Sequence, residues 1–286
     1  YDGSFLKVTT SEKSLSNSNF WKKFKNFNIT ETFINSVKVI EFDPKNKKNE
    51  NIILYLHGGA YIACGPETHA SLVTQLSKYS GSKTIFPVYR LAPKHPFPAA
   101  IDDCLLVYKE LIAKGIKSES ISLIGDSAGG GLVMALLQIL YRDSIDLPSS
   151  AVLLSPWTDL TLSGDSITSR AERDPMLKAN KNIHNAIESY LNGEDPKNPL
   201  VSSIFCETFP TPPIQIHVGT EEIIYDDSVR IYEKLSENIN NKVTLRVWDG
   251  MFHVFNIFCK GFLAIPEAKK SNMEIANFIT ENYPKK

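Results

Sequence analysis

One stretch constrains this chain more than any other: Ser122-Leu123-Ile124-Gly125-Asp126-Ser127-Ala128-Gly129-Gly130-Gly131, followed by the helix-forming run 132–140. A short apolar strand runs into Gly-x-Ser-x-Gly and then directly into a helix, which is the sequence form of a nucleophile elbow. Glycines at 125 and 129 let strand and helix turn past each other where any Cβ would collide with neighbouring backbone. Ser127 is thereby held at the sheet edge and at a helix start, where free backbone N–H groups and the helix dipole favour developing negative charge. The three fixed letters alone also describe a glycine-rich turn with a capping serine. The strand before and the helix after favour the elbow, so Ser127 is the candidate nucleophile.

An elbow of this kind needs a largely parallel sheet around it, and the rest of the chain supplies one. Ile52-Ile53-Leu54-Tyr55-Leu56 is an unbroken apolar run, as in strands buried on both faces. Further strands are expected at 84–88, 122–124, 151–154, 214–218 and 243–248, with helices at 67–79, 98–114, 128–140, 227–237 and 267–281. Regular alternation of this sort implies a mainly parallel sheet with helices on both faces. Ahead of it, 30–33 and 37–42, separated by Asn35-Ser36, read as an antiparallel hairpin. The interval between Leu154 and Ile214 is too long for one crossover, and 174–191 looks helical. We read an insertion at about 157–209 as a lid over the carboxyl ends of the strands, joined by residues 1–27, within a single domain spanning 1–286.

Composition narrows the function classes. Of the 286 residues 42% are hydrophobic and 22% charged, and the formal net charge is −1, which offers nucleic acid or an anionic membrane no general attraction. Lys22, Lys23 and Lys25 interleave with Trp21, Phe24 and Phe27, which could form a membrane-surface helix; a solvated face with an apolar underside is the simpler reading. No apolar stretch reaches the roughly 18 residues of a spanning helix. Cys64, Cys104, Cys206 and Cys259 are scattered, without a C-x-x-C pair, which suits buried thiols in the reducing cytoplasm and not a zinc site. No metal and no cofactor is expected. The chain begins at Tyr1, so an upstream segment, a cleaved signal included, stays open.

The remaining chemistry follows from the serine. His57-Gly58-Gly59-Ala60 comes directly after the strand 52–56, where two glycines can turn backbone N–H groups towards a bound oxygen. The expected oxyanion donors are the N–H groups of Gly58, Gly59 and Ala128, with His57 holding the loop. A general base and its acid follow an elbow serine in the order Ser, acid, His. Of the later histidines, His184 falls on a lid helix and His217 inside a strand, whereas His253 sits in the loop after the last strand, at the edge where Ser127 lies. His253 is the candidate base. The acid belongs in the loop after 214–218, where Glu221, Glu222, Asp226 and Asp227 compete and spacing does not choose; Asp226 and Asp227 also suit a helix N-terminus.

Taken together, His57-Gly58-Gly59-Ala60, Tyr89-Arg90-Leu91-Ala92-Pro93, His95-Pro96-Phe97-Pro98-Ala99-Ala100, Gly125-Asp126-Ser127-Ala128-Gly129-Gly130, Ser155-Pro156-Trp157-Thr158-Asp159-Leu160, Asp174-Pro175-Met176-Leu177 and Gly250-Met251-Phe252-His253 resemble one family. It is the hormone-sensitive-lipase-type (bacterial family IV) carboxylesterases of the α/β-hydrolase superfamily, which include monoterpene ε-lactone hydrolases. The resemblance covers most of the chain from about 52 to 255. It implies an α/β-hydrolase fold with a helical cap, hydrolysis of short- to medium-chain acyl esters or lactones, and an acid at the position of Glu222, where the family usually carries aspartate. The implied substrate pocket includes Trp157, Phe209, Met251 and Phe252, each of which also reads as ordinary core. The expected partner is a small-molecule ester, with no nucleic acid and no membrane, and a homodimer is an open alternative. Two rivals share the scaffold: a non-catalytic binder resembling the plant gibberellin receptor, which lacks the histidine found here at 253, and an amidase or peptidase with the same triad.

Overall fold

The computed structural model describes residues 13–15 and 18–284. In chain order the elements are β1 (Lys13–Ser14), β2 (Phe27–Ile34), β3 (Val37–Pro44), β4 (Ile52–Leu56), α1 (Pro66–Ser80), β5 (Lys83–Pro87), α2 (Ala99–Ala113), β6 (Ile121–Asp126), α3 (Ala128–Arg142) and β7 (Ser150–Leu154). The second half adds α4 (Ser166–Ser169), α5 (Lys181–Leu191), β8 (Ile214–Gly219), α6 (Tyr225–Ser236), β9 (Val243–Trp248) and α7 (Pro266–Asn282). The nine strands form one sheet in the order β1-β2-β3-β5-β4-β6-β7-β8-β9. Its first three pairings, β1–β2, β2–β3 and β3–β5, are antiparallel, and every pair from β5 to β9 is parallel.

Residue alternation along β4 explains the two layers. All five of its side chains are buried. Ile52, Leu54 and Leu56 join a core with Ile101 and Val107 of α2, Leu132 and Leu136 of α3, and Ile231 of α6, while Ile53 and Tyr55 join another with Leu72 and Val73 of α1 and Ile275 of α7. Successive strand residues point to opposite faces, so a strand covered on both sides has no polar position to reveal its period. Strand order reverses around β4, with β5 on one side and β6 on the other. A crevice opens outside the carboxyl ends of the strands at such a switch point. The two loops of interest, after β4 and after β6, leave there.

The hairpin extends beyond its expected span, pairing Phe27 with Pro44 and Ile34 with Val37, and Asn35 turns it at φ 56°. Trp21, Phe24 and Phe27 face inward, packing beside Phe42, while Lys22, Lys23 and Lys25 stay exposed. The aromatic face is therefore core and not a membrane-facing surface. Residues 1–12, 16 and 17 of the expected N-terminal cap segment lie outside the described residues. In the insertion, the helix expected over 174–191 starts only at Lys181, with the Asn180 side chain accepting the Asn182 N–H at 2.9 Å. Ahead of it the buried Asp174 accepts the N–H groups of Met176 and Leu177 at 2.9 and 3.2 Å, which bends the chain into a turn instead. Among the described residues no helix is long and apolar enough to cross a membrane.

Candidate active site

Between β6 and α3, Ser127 stands at φ 52°, in the left-handed region that a non-glycine residue enters only under constraint. The constraint is visible on both sides. A Cβ on Gly125 would strike the backbone of Gly129, and one on Gly129 would strike the carbonyl of Leu56 in β4. The Ser127 N–H donates to the Leu154 carbonyl at 2.8 Å and its own carbonyl accepts from the Trp157 N–H at 2.9 Å, so the neighbouring strand end fixes the turn. The Oγ faces a cavity of about 340 Å³.

The β9 loop brings His253 to this serine. Its Nε2 lies 2.9 Å from Ser127 Oγ, and its Nδ1 lies 3.1 Å from Glu222 Oε2. Glu222 is wholly buried, and its other oxygen accepts the Gly219 N–H at 2.6 Å and the Ser155 hydroxyl at 2.8 Å. Ser155 Oγ also accepts the Val254 N–H at 3.1 Å, tying the loop after β7 to both the acid and base loops. Burial lowers the His253 pKa, but the hydrogen bond and charge of Glu222, with the charges of Asp174 and Asp126 behind it, outweigh burial and leave the imidazole above its ordinary value.

Each competing acid is committed elsewhere. Glu221 accepts from Arg173 Nε and Nη2, each at 2.6 Å. Asp226 accepts the Ser166 N–H at 2.8 Å, and Asp227 accepts those of Thr158 and Asp159 at 2.7 and 2.8 Å. The last two were expected to suit a helix N-terminus. They do lie in the first turn of α6, but Ile224 is the N-cap and both carboxylates reach across to hold the insertion instead. His184 is exposed on α5, and His217 is buried between Gln215, Trp248 and Ser271, its pKa pushed down to about 3 by burial and by Arg246.

The loop after β4 requires a correction. Gly58 was expected to donate to an oxyanion, but its N–H is spent on Asp126 Oδ1 at 3.0 Å and it does not line the cavity. Gly59 and Ala60 do line it, and neither N–H meets an acceptor among the described residues. Ala128 opens α3, so its N–H has no intrahelical acceptor. Asp126 is the residue that sequence reasoning passed over. Fully buried, it also accepts the Tyr55 hydroxyl at 2.7 Å and faces His69 Nε2 at 3.2 Å. Burial would raise its pKa, but the charge and hydrogen bond of His69 and the Tyr55 hydrogen bond prevail, and the carboxyl is held below its ordinary value. Its place inside Gly-Asp-Ser, one residue before the nucleophile, was the available signal. His57 holds the loop as expected, stacked 4.2 Å from the Tyr89 ring with Nδ1 2.6 Å from the Gly58 carbonyl. Burial and His69 press its pKa down to about 4.

Of the expected pocket residues only Trp157 lines the cavity, joined by Met176, Leu177, Val254, Ile257 and Phe258. Phe209 stacks on Tyr141 at the far end of α3, at 5.7 Å between centroids. Met251 and Phe252 pack instead against the cluster of Phe255, Cys259 and Ala268. Their nearness to His253 in sequence misled, because the chain turns at His253 and presents the residues after it to the cavity. Met176 and Leu177 stand in a motif already noted, Asp174-Pro175-Met176-Leu177. Among the described residues no group of three His, Cys, Asp or Glu side chains is placed to hold a metal ion.

Known proteins are similar to this chain over most of its length. A family model described as alpha/beta hydrolase fold matches residues 53–257. An acetyl-hydrolase of Streptomyces hygroscopicus is 36% identical over 230 residues, 80% of this chain and 75% of that protein. An esterase of Acinetobacter venetianus is also 36% identical over 230 residues, covering 80% and 74% respectively. Among solved structures, the esterase EstE5 soaked with p-nitrophenyl butyrate superposes with a TM-score of 0.85 at 36% identity, over 90% of this chain and 85% of that one. An esterase from the bacterial hormone-sensitive lipase family gives 0.86 at 31% identity, over 91% and 86%. With its sheet order, elbow and family match in agreement, the chain belongs to the α/β-hydrolase family, among the carboxylesterases of hormone-sensitive-lipase type.

Proposed function

We propose that the protein hydrolyses short- to medium-chain acyl esters through an acyl-enzyme on Ser127. Ser127 Oγ attacks the ester carbonyl while His253 Nε2 takes its proton, and Glu222 holds Nδ1–H and steadies the imidazolium that forms. The carbonyl oxygen becomes an anion facing the N–H groups of Gly59, Ala60 and Ala128, which need no reorganisation to receive it. His253 then gives its proton to the leaving alcohol as the tetrahedral intermediate collapses. Water repeats the cycle on the acyl-enzyme and restores the serine. The observation that carries this proposal is one imidazole bridging the elbow serine at 2.9 Å and a fully buried carboxylate at 3.1 Å.

The size of the cavity supports the acyl preference. At about 340 Å³ and with a mainly apolar lining, it lies near the small end of ligand pockets. Met176 and Leu177, from the insertion at 157–209, form part of its wall, so that segment acts as the cap. A p-nitrophenyl ester series from two to twelve acyl carbons tests both points: kcat/KM should peak among the shorter chains and fall beyond them. A matched nitrophenyl anilide should turn over far more slowly. A rate that keeps rising to the longest chain, or an anilide that matches the ester, contradicts the proposal.

A further inference from the structure

A second cavity, of about 320 Å³, is walled by Lys23 and Lys25 of the N-terminal segment, Lys78 of α1, Lys260 of the segment between β9 and α7, and Lys269 of α7. No Asp or Glu lines it. None of the five lysines has a carboxylate within ion-pair distance among the described residues. In a chain whose formal net charge is −1, this is a local concentration of unneutralised positive charge and not a general excess. Two of the ammonium groups rest on aromatic rings, Lys23 at 3.8 Å over Phe20 and Lys260 at 5.0 Å over Phe24, which orients them and leaves their charge intact.

The loop that carries Lys260 joins this cavity to the active site. Ile257 and Phe258 line the Ser127 pocket, and Cys259 and Lys260 line the lysine cavity. The Ile265 N–H donates to the Phe258 carbonyl at 2.9 Å and closes the segment between them into a lobe. At its tip Phe262 is 103% exposed and Leu263 is 68% exposed. Two large apolar side chains are thus presented together to water on the same lobe as Lys260, one loop-width from the catalytic pocket, and a partner that is apolar and anionic at once would complement both features. A small anion would occupy the cavity and leave Phe262 and Leu263 without a role. Around Lys22, Lys23 and Lys25 the aromatic residues point into the core, in line with the solvated face read from the sequence; the apolar tip lies on a different segment.

We propose that this face docks the enzyme on an anionic phospholipid surface. Phe262 and Leu263 enter the boundary between headgroups and acyl chains, and the five lysines meet the headgroup phosphates. Docked this way, the Ser127 pocket receives esters presented at the interface, a statement of substrate class that rests on the ester-hydrolase reading; the docking itself does not.

The test is sedimentation of the full chain with vesicles of phosphatidylcholine alone or mixed with phosphatidylglycerol. The mixed vesicles should carry the protein down and the neutral ones should not, with binding lost at high salt. Lys260→Gln and Lys269→Gln should each weaken binding about fivefold, the scale of one lysine near an anionic surface. The double variant Phe262→Asp/Leu263→Asp should weaken it by about tenfold or more. All variants should turn over soluble p-nitrophenyl acetate at the wild-type rate, since none of these residues lines the Ser127 pocket. Wild-type protein that stays in the supernatant with anionic vesicles overturns the proposal, as does binding indifferent to the Phe262/Leu263 pair. Saturable binding of inorganic phosphate without vesicle sedimentation overturns it in favour of a small-anion site. Failure to hydrolyse any ester, with vesicle binding intact, removes the substrate statement alone.

Discussion

Replacing Glu222 with Gln asks how the acid acts, and the surrounding donors fix the answer. Two hydrogen bonds enter Oε1, one from the Gly219 N–H at 2.6 Å and one from the Ser155 hydroxyl at 2.8 Å. A backbone N–H has no acceptor to offer, so the glutamine must leave its oxygen there. Turning the amide over would set N–H against N–H in a buried site, at about 1 to 3 kcal/mol for each donor left unpaired. The NH2 group therefore faces His253 Nδ1, in place of the oxygen that lies at 3.1 Å. Nδ1 must then accept, the ring proton moves to Nε2, and the nitrogen 2.9 Å from Ser127 can no longer take its proton. Loss of the tautomer costs about ten-thousandfold in kcat, or about 5.5 kcal/mol of barrier. Turnover of a saturating p-nitrophenyl ester, with circular dichroism as the check on folding, measures it. Glu222→Asp should keep part of the activity, because charge survives and only reach is shortened. Asp226→Asn should leave kcat within a few-fold of wild type, since that carboxylate holds Ser166. A folded Glu222→Gln enzyme with near-normal kcat, or a dead Asp226→Asn enzyme, refutes the assignment.

The acid limb of kcat/KM should lie above the ordinary imidazole pKa of 6.5, because Glu222 raises that of His253 and only the neutral ring accepts the serine proton; a pH series with a soluble ester reads it, and a flat rate from pH 5 to 8 contradicts a histidine base. Ser155→Ala removes a hydrogen bond to the charged Glu222 and should lower kcat/KM by roughly tenfold to a hundredfold, from about 1.5 to 3 kcal/mol. Its signature is a shifted acid limb, which mere loss of packing would not move. Asp227 is buried, with burial the main cause of a pKa pushed up to about 8. A raised carboxyl pKa stabilises the fold below the unfolded value near 4 and forfeits that stability as pH rises to about 8, by at most about 1.4 kcal/mol per pH unit. Asp227→Asn keeps an oxygen for the Thr158 and Asp159 N–H groups and should therefore gain on wild type between pH 5 and 8 in urea unfolding; a gap that does not widen with pH contradicts the buried-acid account.

Much of the site was legible because its parts have local signatures. The elbow is written in consecutive letters, since a strand meeting a helix at one serine demands glycine on both sides. His253 was found by its place after the last strand, and β4 and β9 have the expected bounds. What stayed hidden depends on contacts distant in sequence. Four carboxylates within seven residues look alike until Ser155, 67 residues away, is seen to anchor Glu222. Gly58 and Gly59 look interchangeable until Asp126 takes the first N–H and leaves the second free. Pocket residues were misjudged for the same reason: Phe209 packs on Tyr141, and Met176, far along the chain from β4, reaches the cavity where Asp174 bends the insertion. Helix expectation also failed at 174–180, where apolar spacing was outvoted by a buried side chain that binds its own following backbone.

The central claim is a covalent acyl-enzyme on Ser127, and mass spectrometry of the protein treated with a p-nitrophenyl phosphonate tests it most directly. Such a reagent leaves one phosphonyl group on an activated serine and releases one equivalent of nitrophenol. The expected result is a single adduct on the peptide that carries Ser127, formed in step with loss of esterase activity, and absent from a folded Ser127→Ala variant whose turnover has fallen by about a millionfold. An adduct on another residue, or ester hydrolysis that persists in the Ser127→Ala protein, contradicts the mechanism.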